Sequence, residues 1–262
     1  MNPAPPTTDP ARDPWLGLQR FTAARIAQGR SGGSQRTATL LDFRAAHARA
    51  RDAVHAPFDA RTLCTALSAL GLPSLLLASA SKDRLAYLRR PDLGRQLAAE
   101  ARATLEKLAA APGAIPPDIV IIVSDGLAAQ AAENHALATL LPLITELRSS
   151  GWQIGPVCLV PFARVKIQDE IGALLGARYS LMLLGERPGL GAPDSLGAYF
   201  TARPAAERSD ADRNCVSNIR PAGLPPDFAA RKLAWLLNAS RQTGLSGVHL
   251  KDTQPVETLS PG

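Results

Sequence analysis

Cysteine is scarce in this chain, with Cys64, Cys158 and Cys215 the three examples in 262 residues. They are odd in number, widely spaced and form no C-x-x-C pair, so neither a zinc site nor a redox motif is indicated, and a reducing, cytoplasmic setting is expected. Aromatic residues make up only 5% of the chain, against 46% hydrophobic residues in all. The core must therefore be aliphatic, with few Phe or Trp anchors. Long apolar runs are missing too: stretches such as 119–123 are broken by Pro, Gly or charge well short of the roughly 20 residues a membrane helix requires. Residues 1–15 are rich in Pro and carry Asp9 and Asp13. With no apolar stretch among them, they cannot act as a secretory signal and read as a flexible leader.

Several chemical signatures are absent as well. No G-x-G-x-x-G follows a strand and no G-x-x-x-x-G-K-[ST] occurs, which removes the dinucleotide fingerprint and the P-loop. No G-x-S-x-G elbow appears, so an independent hydrolase has no support. His47, His55, His135 and His249 have no partners at ligand spacing, and no metal is expected. Lys and Arg exceed Asp and Glu by 29 to 23, a net charge of +6, which allows an anionic partner or an acidic protein surface. The basic stretch with Arg44, Arg49 and Arg51 is interrupted by Asp42 and Asp52 and lacks interleaved aromatics. A solvated or protein-facing side is expected there, not nucleic acid.

What is present is an alternation of helices and strands. Residues 16–33 read as a short helix and a glycine-rich turn. Thr39 is expected to cap a second helix through about His55, with Leu40, Phe43, His47, Ala50 and Val54 along one side. This N-terminal unit, residues 16–57, is too small to bury its own core and should lie on the main domain or on a partner chain. From residue 58 to 262 one α/β domain is expected. Its predicted strands are 74–78, 119–123, 156–160, 180–184 and 248–250. Its predicted helices are 60–70, one capped by Asp92 that runs to Pro112, one ending at Ser150, 167–175, and a last one capped by Asp227. The run 119–123 is β-branched without polar alternation, as in a parallel strand covered on both faces. The expected fold is thus α/β, an open and mainly parallel Rossmann-like sheet with helices on both faces and a small helical N-terminal unit before it.

In such sheets ligands bind outside the carboxyl ends of the strands, which marks residues 124–126, 162–166 and 185–197 as the functional rim. Gly185, Gly189 and Gly191 surround Glu186 and Arg187 in a loop fixed by Pro188. Glycines there allow close backbone approach by a bulky ligand, and the carboxylate can accept hydrogen bonds; a plain Gly/Pro-rich turn with an ion pair reads equally well. Asp125 reads first as an N-cap, and Asp194 and Ser195 as a further cap or a rim contact. Cys215, in RNCVSN, falls in a segment without period that reads as an ordered loop. A free cysteine is more often a small buried hydrophobe than a ligand contact.

Several blocks of the sequence resemble the small (light) subunit of ethanolamine ammonia-lyase. They are RFTAARIAQGRSGG from Arg20, LLDFRAAHARARDAVH from Leu40, VSDGLAA from Val123, the long block from Asp169 that contains GERPGL, DRNCVSNIRPAGL from Asp212, and KLAWLL and SGVHLKD near the end. The pairing of GERPGL with N-C-x-S-N-I-R is specific, and the blocks together reach across nearly all of the chain beyond Leu16. The resemblance implies a hetero-oligomer in which a large subunit carries the substrate site and adenosylcobalamin lies between the two chains. It places Val165, Glu186 and Cys215 at the cobalamin, with no catalytic residue in this chain. It also implies the base-on mode, because no D-x-H-x-x-G pattern surrounds any histidine, and it leaves open enclosure in a bacterial microcompartment. A stand-alone α/β protein that binds a nucleotide or phosphosugar is the competing reading.

Overall fold

The computed structural model describes residues 15–22 and 24–254; the expected leader lies, but for Trp15, outside the described residues. A 3₁₀ helix, Leu16–Phe21, opens the described chain. A two-stranded hairpin follows, β1 (Arg30–Ser31) and β2 (Ser34–Gln35), and then the long helix α1 (Thr37–His55). The domain beyond it runs α2 (Ala60–Ala69), β3 (Ser74–Leu76), α3 (Arg84–Arg89), α4 (Ala99–Ala109), β4 (Ile119–Ser124), α5 (Ala129–Ser149), β5 (Ile154–Leu159), α6 (Ile167–Leu174), β6 (Tyr179–Gly185), β7 (Leu196–Ala202), β8 (Arg213–Ile219) and α7 (Pro226–Thr243).

Six strands form one mixed sheet in the order β3-β5-β4-β6-β7-β8. The first four are mutually parallel, and β7 and β8 continue the sheet antiparallel. All six residues of β4 are buried, because both faces of the strand are covered. Ile119, Ile121 and Val123 join Leu140 and Leu143 of α5 and Leu233 and Leu237 of α7 in one apolar cluster. Val120 and Ile122 join Ala101 and Leu105 of α4 and Ile167 and Ile171 of α6 in the other. Helices therefore lie on both faces, and the aliphatic composition is what permits a strand without polar alternation.

The structure corrects the expectation in several places. No strand is expected at 196–202 or 213–219, yet β7 and β8 form there, β8 taking in the expected loop 213–218. Only ten residues separate β6 from β7, and ten separate β7 from β8. That is too few for a parallel crossover, which needs a dozen or more, so the chain must return antiparallel. The expected strand 248–250 is instead a 3₁₀ turn, Gly247–His249, whose backbone is held by the Asn214 amide. Helix α3 was not foreseen; Asp83 caps it by accepting the Ala86 N–H at 2.7 Å. Asp92 caps nothing, since its carboxylate is taken by Arg90 at 2.6 and 2.9 Å and α4 begins only at Ala99. Thr39 lies inside α1, where its hydroxyl donates to the Gln28 carbonyl. Asp227 follows Pro226 in the first turn of α7 and pairs with Arg231.

Candidate functional site

Asp125, at the end of β4, is fully buried and does not cap α5, which starts four residues later. Its Oδ2 accepts from Arg84 at 2.6 Å, and its Oδ1 from the Phe162 N–H at 2.7 Å and the Ser124 hydroxyl at 3.0 Å. Burial pushes its carboxyl pKa up; the Arg84 guanidinium and the Phe162 N–H oppose that shift. Arg84 also donates to the Gly126 carbonyl and lies over the Tyr87 and Phe162 rings. The Ser124 hydroxyl accepts the Ala163 N–H at 3.2 Å. The end of β4 thus fixes the loop 161–166, including Phe162, whose backbone is held at φ 57°.

That loop forms one side of a cleft of about 870 Å³. Val165 and Cys215 line it together, although they are fifty positions apart, and Tyr199 lies between the candidate residues. Register explains the gathering. Tyr199 of β7 pairs with Cys215 of β8 on one side and with Met182 of β6 on the other, so all three stand at one level of the sheet. Tyr199 and Val165 pack against the apolar cluster of α4 and α6. The cleft therefore opens on the α6 side of the sheet, where β7 and β8 reach past the helices, and not simply beyond the carboxyl ends of the parallel strands.

Glu186 is not among the residues lining the cleft, but it is tied to them. Its Oε1 accepts from Ser217 at 2.7 Å and from the Tyr199 hydroxyl at 3.5 Å. Its Oε2 accepts from the Ser195 hydroxyl and from the Asn218 N–H at 3.4 Å. These four donors occupy the accepting capacity of one carboxylate. Gly197 makes room for it: a Cβ there would stand 2.6 Å from Oε1 and 2.9 Å from the Tyr199 ring. Burial, then the neighbouring Cys215 and Glu186, push the Tyr199 phenol well above its ordinary range, so it stays protonated and donates. Cys215 is exposed and unpaired. Desolvation raises its thiol pKa, the bond with Tyr199 lowers it, and the Glu186 charge raises it, for a net upward shift.

Basic side chains surround this apolar and aromatic patch. Arg95, Arg164, Lys166, Arg208 and Arg213 line the cleft against one acidic residue, Asp210. Arg213 forms a bidentate pair with Asp169 at 2.7 and 2.8 Å, both side chains almost wholly buried, and this pair joins β8 to the first turn of α6. Lys166 reaches the same carboxylate at 2.9 Å. Among the described residues no group of His, Cys, Asp or Glu is arranged to hold a metal, and no helix is long and apolar enough to cross a membrane. The cleft's donor set, with aromatic surface, a thiol and excess cationic charge, fits a large organic ligand with an anionic group.

Of the sequence candidates, then, Val165 and Cys215 line one cleft, and Glu186, outside that lining, is tied to it through Tyr199. Tyr199, Ser217 and Arg95 were missed. The alternation in Leu196, Ala198 and Phe200, all buried in the α5 and α7 cluster, was the available signal that Tyr199 faces the opposite side.

Comparison with known proteins adds the family. The model of the ethanolamine ammonia-lyase light chain (EutC) matches residues 12–251. The chain is 50% identical over 255 residues to an ethanolamine ammonia-lyase small subunit of Pseudomonas fluorescens (strain Pf0-1), covering 97% of this chain and 92% of that protein. A small subunit of Azotobacter vinelandii is 49% identical over 259 residues, 99% of this chain and 94% of its own length. One of Pseudomonas putida is 49% identical over 260 residues, with the same two shares. The matches run through the 3₁₀ helix, α1, the sheet and every wall of the cleft, and the chain belongs to the ethanolamine ammonia-lyase light-chain family.

Proposed function

We propose that this chain is the small subunit of an adenosylcobalamin-dependent ethanolamine ammonia-lyase and that its cleft forms one wall of the cobalamin site, the opposite wall being supplied by the large subunit. The observation that carries this reading is the meeting of Val165, Tyr199 and Cys215 in one cleft with Glu186 bonded behind them, in a chain of this family. A corrinoid exceeds the ligands that a cleft of about 870 Å³ can enclose, which supports a second wall from another polypeptide. When bound, adenosylcobalamin supplies the radical chemistry that turns ethanolamine into acetaldehyde and ammonia.

The work of this chain is to bind and orient. Val165 and Cys215 give the wall its shape. Glu186, with its oxygens already engaged by the chain's own donors, holds Tyr199 and the end of β8 in place. No histidine is among the residues lining the cleft, which supports retention of the cofactor's own base on cobalt. The apolar side of α1 and the 3₁₀ helix before it, with Phe21 72% and Phe43 42% exposed, is the surface proposed for the large subunit.

Co-expression with a large subunit tests the reading. Cobalamin-dependent acetaldehyde release is expected from the pair and from neither chain alone. Glu186→Ala should leave the chain folded and weaken cobalamin binding in the assembled enzyme, because a half-buried carboxylate adds little to core stability; unchanged affinity would refute its role. A chain that stays monodisperse and binds a nucleotide or phosphosugar unaided would favour the stand-alone alternative instead.

A further inference from the structure

The five basic residues lining the cleft are not equivalent. Arg213 and Lys166 share Asp169, and Arg208 faces Asp212 at 3.4 Å. Among the described residues, Arg95 and Arg164 have no carboxylate within ion-pair distance. Arg164 donates from Nη2 to the Tyr87 carbonyl at 3.2 Å and stacks 4.1 Å from the Tyr87 ring centroid. Its Nε–H is buried without an acceptor. A buried guanidinium N–H left open is costly unless something fills it.

Arg95 belongs to a different segment, the turn Leu93–Arg95, yet the backbone brings the two together. The Arg164 N–H donates to the Gly94 carbonyl at 2.7 Å. Only glycine fits at position 94, since a Cβ there would stand 2.9 Å from the Phe162 carbonyl and 3.0 Å from Cγ of Arg164. Two unneutralised guanidiniums on apposed backbones, one held in plane by a tyrosine ring, form a site for a phosphate ester, whose oxygens match the fork of donors.

We propose that Arg95 and Arg164 form a phosphate-ester subsite within the cleft, and that it takes the phosphodiester of the cobalamin nucleotide loop. This deepens the cobalamin reading and rests on it. The rim of a corrin carries neutral amides, so the phosphodiester is the part of the ligand that needs cations, and it tethers the base retained below cobalt. The subsite therefore selects for the complete cobalamin over corrinoids that lack the nucleotide.

The test is a spectral titration of the assembled, cofactor-free enzyme with adenosylcobalamin and with adenosylcobinamide, which lacks the phosphodiester and the base. Arg95→Glu changes an exposed side chain and leaves the packing intact; Arg164→Lys keeps the charge and loses the fork. Each is expected to weaken cobalamin binding about tenfold and to change cobinamide binding less than about twofold. A bulky Cys215→Phe variant, which fills the cleft, serves as the control and should weaken both ligands. If Cys215→Phe weakens both but the arginine variants weaken neither, or weaken the two equally, the phosphate assignment is overturned while the cobalamin wall stands. If none of the three changes either affinity, the cobalamin wall itself is overturned. If the arginine variants abolish binding of inorganic phosphate and leave both corrinoids untouched, the subsite serves a free anion and the assignment to the nucleotide loop fails.

Discussion

Glu186 shows how one side chain can organise a cleft that it does not itself line. Its oxygens hold hydroxyls from Ser195, Ser217 and Tyr199, so the positions of β7 and β8 relative to the loop after β6 depend on it. Gly197→Ala would press a methyl group into this carboxylate and into the Tyr199 ring. We expect a stability loss of about 1–3 kcal/mol in urea unfolding, together with weaker cobalamin binding. Cys215 offers a second residue-scale check. Its raised thiol pKa means less thiolate at any pH below that value, so iodoacetamide should modify it more slowly at pH 8 than an ordinary exposed cysteine. The rate should climb as pH passes above the usual thiol range, and bound cobalamin should suppress it. Cys158, buried with its thiol pushed up to about 12, should not react in the folded chain. Mass mapping of the alkylated peptides over pH decides the matter, and fast labelling of Cys215 at neutral pH would contradict the environment described for it.

At the scale of elements, the cleft depends on how α6 is fastened to β8. Asp169 and Arg213 are 1% and 3% exposed, and removing Asp169 strips the buried guanidinium of its bidentate partner, leaving it only the solvent-exposed Asp210 at 3.3 Å. Asp169→Ala is therefore expected to cost about 3–5 kcal/mol, read as a lowered urea midpoint with an unchanged slope. Replacing both residues with apolar side chains of similar volume should cost less than the single change. The same elements show what the sequence made legible. β4 and β6 could be read because a strand covered on both faces carries a nearly unbroken apolar run. β8 could not, since it lies at the sheet edge with only three of its seven residues buried, and half-exposed edge strands carry little apolar signal. Helix α3 was invisible because six residues are too few to display a period.

Across the whole molecule, apolar exposure is uneven. Phe21 and Phe43 leave much of their surface in solvent on the first described segments, whereas the sheet domain buries its aliphatic residues on both faces. With the large subunit as the occupant of that surface, Phe43→Ser should lower co-elution of the two chains in size-exclusion chromatography, by a factor of about thirty in affinity if Phe43 is a central anchor. The folded signal of the sheet domain should stay unchanged. Retained assembly would move the interface elsewhere on the chain.

By itself the sequence determined the class of fold and the run of parallel strands, because these follow from local composition and period, while the family's motifs were legible as resemblance. Only the tertiary structure decided that Tyr199 stands between Glu186 and Cys215, and that Arg95 lies beside Arg164. Those meetings rest on strand register and on one backbone hydrogen bond between distant segments. A slip of one residue would turn every side chain of β7 to the other face, and nothing in the local chemistry of GERPGL or RNCVSN sets that register.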